Sequence, residues 1–138
     1  MAGYSGTPLI RKLGLGPGAV AFVRHEPPSY WDWLSPLPEG VEVRKRLTPG
    51  LTFVHLFCTS SAATKKEVRA AKTCLAPHGM IWVSWPKKSS GVASDLDENL
   101  IRDFALKNGL VDVKVCAVDD VWSGLKLVIP VKLRKKPR

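Results

Sequence analysis

Apolar and polar positions change their period several times along the chain, and each change predicts an element. Leu9, Ile10 and Leu13 share a helical face after Thr7-Pro8. Threonine oxygen accepts from first-turn N–H groups, proline at the first helical position forfeits no bond, and Gly14 can close the short helix in the left-handed region. Beyond the Gly16-Pro17-Gly18 break, Ala19 to Arg24 is an apolar run of the kind that forms a buried strand. Pro27-Pro28 stops it, and Ser29 is placed to cap a short helix over Tyr30 to Leu34 that must end before Pro36. Val41 to Arg46 alternates through its first half, predicting a half-exposed strand near a sheet edge. After the Thr48-Pro49-Gly50 turn, Leu51 to Phe57 predicts a central strand.

Thr64 and Glu67 have capping-box spacing, and Val68, Ala71 and Leu75 recur at helical intervals, with Lys65, Lys66, Arg69 and Lys72 on the opposite, solvated face. A Pro77-His78-Gly79 turn leads to a buried strand over Met80 to Trp85. Ser94 and Asp97 repeat the capping pattern, Leu96, Leu100, Ile101 and Phe104 form an apolar stripe, and Asn108-Gly109 ends the helix. Leu110 to Val118 reads as a fifth strand. Asp119 to Gly124 is too short for a crossover helix, so Leu125 to Val131 should return antiparallel, with Pro130 at its end or on an edge. The pattern is that of a single α/β domain over residues 1–131, a mostly parallel doubly wound sheet with a C-terminal antiparallel hairpin, followed by a basic tail over 132–138.

With 138 residues the chain can bury roughly 68–70% of its unfolded surface in one core. Its apolar runs are strand-sized, so no membrane span is expected, and the N-terminus has no basic start leading into an apolar segment, which points to the cytoplasm. Cys58, Cys74 and Cys116 lie in or beside core elements and read as unpaired apolar-type residues. There is no CxxC pair, and His25, His55 and His78 are scattered, so no metal site is expected. Of the formal charge of +9, the tail Lys132 to Arg138 supplies five. That leaves a solvated terminus and a contact with phosphates or an acidic partner as alternatives.

Three segments resemble class I methyltransferases: Lys12 to Gly18 before the first strand, Leu75-Ala76-Pro77-His78-Gly79 before Met80-Ile81-Trp82-Val83, and Asn108-Gly109-Leu110 before the fifth strand. Over nearly its whole length the chain is also similar to a family of short bacterial proteins of unknown function with a methyltransferase-like fold. The matching residues are Tyr4 to Leu9, Trp85 to Lys88, Gly91 to Ala93, Val113 to Val118 and Trp122 to Lys126. The resemblance implies a Rossmann-like fold. In the working enzymes a glycine-rich loop after strand one lets the backbone approach S-adenosylmethionine (SAM), and a carboxylate ending strand two holds the ribose. Here strand one feeds Val23-Arg24-His25-Glu26-Pro27-Pro28, without glycine and with two prolines that stiffen the backbone and remove donors. Strand two runs into Arg44-Lys45-Arg46, with only Glu42 inside it. These departures predict that the fold is kept without its cofactor, giving a non-catalytic binding or regulatory module. The alternatives are a divergent small methyltransferase or other enzyme acting on an anionic substrate, and a nucleic-acid-binding protein using the basic face and tail.

Ligands of open α/β sheets bind outside the carboxyl ends of the strands. That rule gathers Arg24 and His25, Thr59 and Ser60, Trp85 to Ser90, and Asp119, Asp120 and Trp122 on one rim, and makes Leu75 to Gly91 the stretch expected to carry the site. Lys87, Lys88, Ser89 and Ser90, ahead of Gly91 and a helix start, suit an anion through ammonium, hydroxyl and N–H donors, or form an ordinary polar loop. With Arg24 and Trp122 they make the candidate ligand-binding set, for an anionic small molecule or acidic partner. No Walker phosphate loop occurs. His25 and Glu26, adjacent on a strand, should point apart, leaving a surface histidine; Asp119 and Asp120 read as a turn. Trp82 and Trp85 should face opposite sides of the sheet, while Trp31, Trp33 and Trp122, in loops near the rim, would with Lys87 and Lys88 suit stacking on a base or single strand.

Overall fold

The computed structural model describes residues 8–134. Its apolar runs become the strands β1 (Val20–Arg24), β2 (Glu42–Arg44), β3 (Leu51–Phe57), β4 (Leu75–Pro86), β5 (Val111–Ala117) and β6 (Trp122–Val128). Its periodic segments become the helices α1 (Leu9–Leu13), α2 (Tyr30–Leu34), α3 (Ser61–Cys74) and α4 (Glu98–Lys107). The strands form one sheet in the order β2-β1-β3-β4-β6-β5. β1 to β4 are parallel, and β6 inserts antiparallel between β4 and β5. The expected α/β architecture with its C-terminal antiparallel hairpin is therefore the one observed.

Alternation along the strands splits the interior in two. Phe22, Leu56, Ile81 and Trp85 pack with Val68 and Ile101 beneath α3 and α4. On the opposite face Phe53, Phe57 and Trp82 pack with Leu13, Tyr30 and Leu34 beneath α1 and α2. Trp82 and Trp85 thus lie on opposite sides, as their spacing requires. The second core holds a polar chain: Tyr30 Oη lies 2.9 Å from His55 Nδ1, and His55 Nε2 lies 2.7 Å from Ser84 Oγ. All three side chains are shut off from solvent. A neutral imidazole has one donor and one acceptor, which two hydroxyl groups satisfy. Burial pushes the His55 pKa down to about 3, and burial followed by the Glu26 carboxylate pushes that of Tyr30 up. Trp82 Nε1 donates to the Leu13 carbonyl at 2.8 Å and so ties α1 to β4.

Several local expectations are corrected. α3 begins earlier than the capping-box spacing implied: Ser60 Oγ accepts from the Ala63 N–H at 3.2 Å, while Thr64 is buried and donates to the Ser60 carbonyl. α4 begins at Glu98, capped by Asp97 Oδ1, and Ser94 makes a preceding turn with Leu96 N. Ser29 occupies the cap position of α2 without a side-chain bond. Thr7, expected to cap α1, and residues 135–138 of the basic tail lie outside the described residues. The basic face of α3 is not uniformly solvated, because Arg69 stacks 5.3 Å from the Phe104 ring and Lys72 Nζ donates to the Asn108 carbonyl. That bond places a cation at the carbonyl-rich end of α4.

α3 passes directly into β4, whose first part is irregular: Leu75 pairs with Leu51 and Met80 with Phe53, so Ala76 to Gly79 bulge out of the ladder where the Pro77-His78-Gly79 turn was expected. Gly79 is required there by close approach: a Cβ would stand 2.8 Å from the Leu51 carbonyl oxygen and 2.7 Å from Leu75 Cδ1. Trp122 likewise opens β6 rather than lying in a loop.

Two predictions follow from the packing. Gly79→Ala is expected to destabilise the fold by about 1–3 kcal/mol, in the range of an overpacked core, read as a lowered urea midpoint. His55 titrates near 6.5 unfolded and near 3 folded, so the unfolded chain binds more protons in between, and stability falls as pH drops through that window by about 1.4 kcal/mol per unit. Urea midpoints across the window should fall more steeply for the native chain than for His55→Asn; parallel curves contradict the assignment.

Candidate functional site

From β1 the chain moves outward to β2, then returns to β3 and continues the other way to β4. The switch point therefore lies between β1 and β3, where the crevice outside the carboxyl ends accepts ligands in folds of this kind. A cavity of about 260 Å³ opens there. Phe22, Leu56 and Leu47 give it apolar surface, Lys66 and Glu67 of α3 form a wall, and Arg24 and His25 come from the end of β1.

Glu67 organises the charge at this point. Its side chain is 10% exposed and receives Arg24 Nη1 at 3.5 Å and His25 Nε2 at 3.2 Å, while the Cys58 thiol donates to it at 3.8 Å. Burial pushes the Cys58 pKa up to about 11, which keeps the thiol protonated as that donor. Arg24 also lies over the Phe22 ring, 5.2 Å from its centroid. His25 turns the chain out of β1 at φ 61°, in the left-handed region. Glu26 is left to accept from Trp31 Nε1 at 3.1 Å. The two prolines come after this corner and lead into α2, with the Pro27 carbonyl accepting from Tyr30 N.

β2 ends level with the cavity, its Arg44 in register with Phe22. Arg44 closes the β2–β3 turn through Glu42 at 2.9 Å, Thr48 Oγ1 at 2.7 Å and the Pro49 carbonyl at 3.0 Å. Lys45 and Arg46, next in the chain, are exposed.

Of the residues expected to bind ligand, the cavity gathers Arg24. Lys87 Nζ donates to the Asp119 carbonyl at 2.8 Å, and Ser90 Oγ donates to the Lys87 carbonyl at 2.6 Å. Lys88 and Ser89 are exposed in a 3₁₀ turn. Trp122 packs edge-on against Phe57 at 5.1 Å. Asp119 Oδ1 accepts from Val121 N and Trp122 N, the turn its sequence implied. The strand-four loop thus braces the β5–β6 hairpin, and the helix ends nearby are taken by acidic side chains: Asp97 on α4, and Asp95, which accepts from Ser61 N at 2.7 Å, on α3. Sequence reasoning missed Glu67, assigned to a cap, and Leu47 and Lys66, whose approach depends on how the β2–β3 turn and α3 fold back. Among the described residues no three His, Cys, Asp or Glu side chains converge on a metal-sized site.

This architecture is the fold of class I SAM-dependent methyltransferases. A complex of DhpI with S-adenosylhomocysteine (SAH) matches it with a TM-score of 0.61 at 13% identity, over 95% of this chain and 83% of that one. Magnesium protoporphyrin IX methyltransferase (ChlM) from Synechocystis PCC 6803, with bound SAH, matches with a TM-score of 0.56 at 11% identity, over 87% and 78%. LepI in complex with SAM matches with a TM-score of 0.52 at 16% identity; 88% of this chain is covered but only 39% of LepI. No protein-family model and no curated sequence matches the chain. At these identities the likeness is one of fold. It corrects the expectation of a chain without a cofactor, because these neighbours were solved holding SAM or SAH. The segment after β1 is free of glycine as read from the sequence; it turns at His25, and Pro27-Pro28 follow that corner.

Lys87→Met should lower stability by about 1 kcal/mol, the worth of one hydrogen bond, seen as a reduced urea midpoint. An unchanged midpoint contradicts the bracing role.

Proposed function

We propose that the chain is a non-catalytic binding or regulatory module on a methyltransferase fold, whose cavity between β1 and β3 takes the adenosyl part of SAM or SAH. The observation that carries this reading is the position of the cavity at the switch point of the sheet. Phe22, Leu47 and Leu56 suit the faces of a base, and Glu67 retains lone pairs that accept from ribose hydroxyls or an ammonium group. At about 260 Å³ the cavity sits just below the roughly 300–1,000 Å³ of ordinary ligand pockets, so it fits the nucleoside and leaves the amino-acid end over the rim. Bound SAM supplies an electrophilic methyl group on sulfur. The engagement of Lys87 with the backbone of the β5–β6 hairpin, and of Ser90 and Asp119 with the backbone of their own loops, supports binding without transfer. No helix among the described residues is long and apolar enough to cross a membrane, and the cysteines described are unpaired, which supports a cytoplasmic placement. We read residues 1–131 as the binding domain and 132–138 as an appended basic segment.

Calorimetric titration tests the proposal. Micromolar affinity for SAM or SAH is expected, and it should be lost in Ala63→Trp, where an exposed α3 residue that lines the cavity becomes bulky. Absence of binding, or binding untouched by that substitution, overturns the reading; conversion of SAM to SAH in the presence of cell extract replaces it with a catalytic one.

A further inference from the structure

We propose a second site, for a phosphate dianion, where β5 and β6 meet the end of α1 on the face of the sheet opposite the cavity. It does not depend on adenosyl binding. Phe22 and Leu56 of the cavity belong to the core under α3 and α4, whereas Trp82 and Cys116 belong to the one under α1 and α2. Lys126 of β6 stands opposite Trp82 of β4 on one side and Lys114 of β5 on the other, and so shares their face. Lys114 reaches α1, where its Nζ donates to the Lys12 carbonyl at 3.1 Å. The charges of Lys114 and Lys12 both bear on the half-buried Cys116 thiol, whose pKa burial raises against their pull. Three lysines therefore converge beside Cys116.

Like charges directly across a ladder destabilise it. α1, β5 and β6 contain a single carboxylate, Asp112, that could offset them. In a regular strand Asp112 would share the face of Lys114, two residues on. The ladder slips instead: Asp112 pairs with Leu127 and Lys114 with Lys126, which leaves Val113 as an extra residue. That bulge turns Asp112 to α4, where Arg102 Nε holds it at 2.9 Å, and turns Lys114 to the opposite face. Lys12 and Lys126 enter no ion pair or side-chain hydrogen bond among the described residues. Lys126 is also half-buried, and burial, then the Lys114 charge, draw its pKa down. A partly desolvated ammonium facing a second one, with the neighbouring acid turned away, costs stability that an anion offsets. Lysines supply point charges without the planar fork that matches a carboxylate, and a phosphate monoester, at about −1.5 to −2, answers two of them at once.

Calorimetry on the full chain with inorganic phosphate, glycerol 3-phosphate and acetate, at matched ionic strength, tests the site. Phosphate or its ester is expected to bind at least about tenfold more tightly than acetate, as one charged hydrogen bond provides. The tighter of the two tells a free-ion source from an organic ester. Lys126→Met should weaken that binding at least about tenfold, raise the urea midpoint of the unliganded chain, and leave SAH binding unchanged; Lys114→Gln should weaken it likewise. A lowered midpoint in Lys126→Met marks a structural lysine and overturns the proposal, as does phosphate binding no tighter than acetate or untouched by both substitutions. Tighter binding of a single-stranded oligonucleotide without terminal phosphates than of either dianion overturns it in favour of a nucleic-acid contact. Failure of SAH to bind removes the cavity reading and not this one.

Discussion

A neutral imidazole without access to water links three elements of this fold. His55 sits in the middle of β3, bonded to Tyr30 of α2 on one side and Ser84 of β4 on the other. Removing any one member would leave a buried polar atom with no partner, at a cost of about 1–3 kcal/mol. The apolar residues around it pack in more than one way, but two directed bonds set a single position for α2 over the sheet. The His25 corner and the cavity beside it depend on that position, since α2 follows β1 after only a short turn.

Burial explains how far the sequence could be read. Strand and helix identities were legible wherever one face is apolar: Leu51 to Phe57 matches β3 residue for residue, and the stripe Leu100, Ile101, Phe104 marks α4. The β5–β6 return was legible from loop length alone. Boundaries failed where side chains had two possible partners. Ser60 and Thr64 both offer hydroxyls near the start of α3, and only packing decides that Thr64 is buried.

The site was less legible because it is made of residues distant in sequence. Arg24 and Glu67 are 43 positions apart, and no local pattern pairs them. Glu67 stands three residues after Thr64, a spacing that equally describes a cap. The Leu75 to Gly91 stretch attracted attention through its lysines and serines, whose hydrogen-bonding capacity the hairpin next to it absorbs. Hidden in the same way was the Tyr30–His55–Ser84 chain, since an isolated histidine in an apolar strand has no visible partner until the sheet forms.

The direct passage from α3 into β4 sets how the cavity admits anything. The C-terminal end of α3 is pinned to the sheet, because Leu75 pairs with Leu51 and the Cys74 carbonyl accepts from Gly50 N at the start of β3. The wall formed by Glu67 and Lys66 is therefore anchored to the sheet at one end of its helix. Access falls to the opposite bank, where a three-residue edge strand and the side chains of Arg24 and His25 are the parts able to yield. A visitor is admitted by rearranging side chains at a fixed aperture, and its outline is chosen before it arrives.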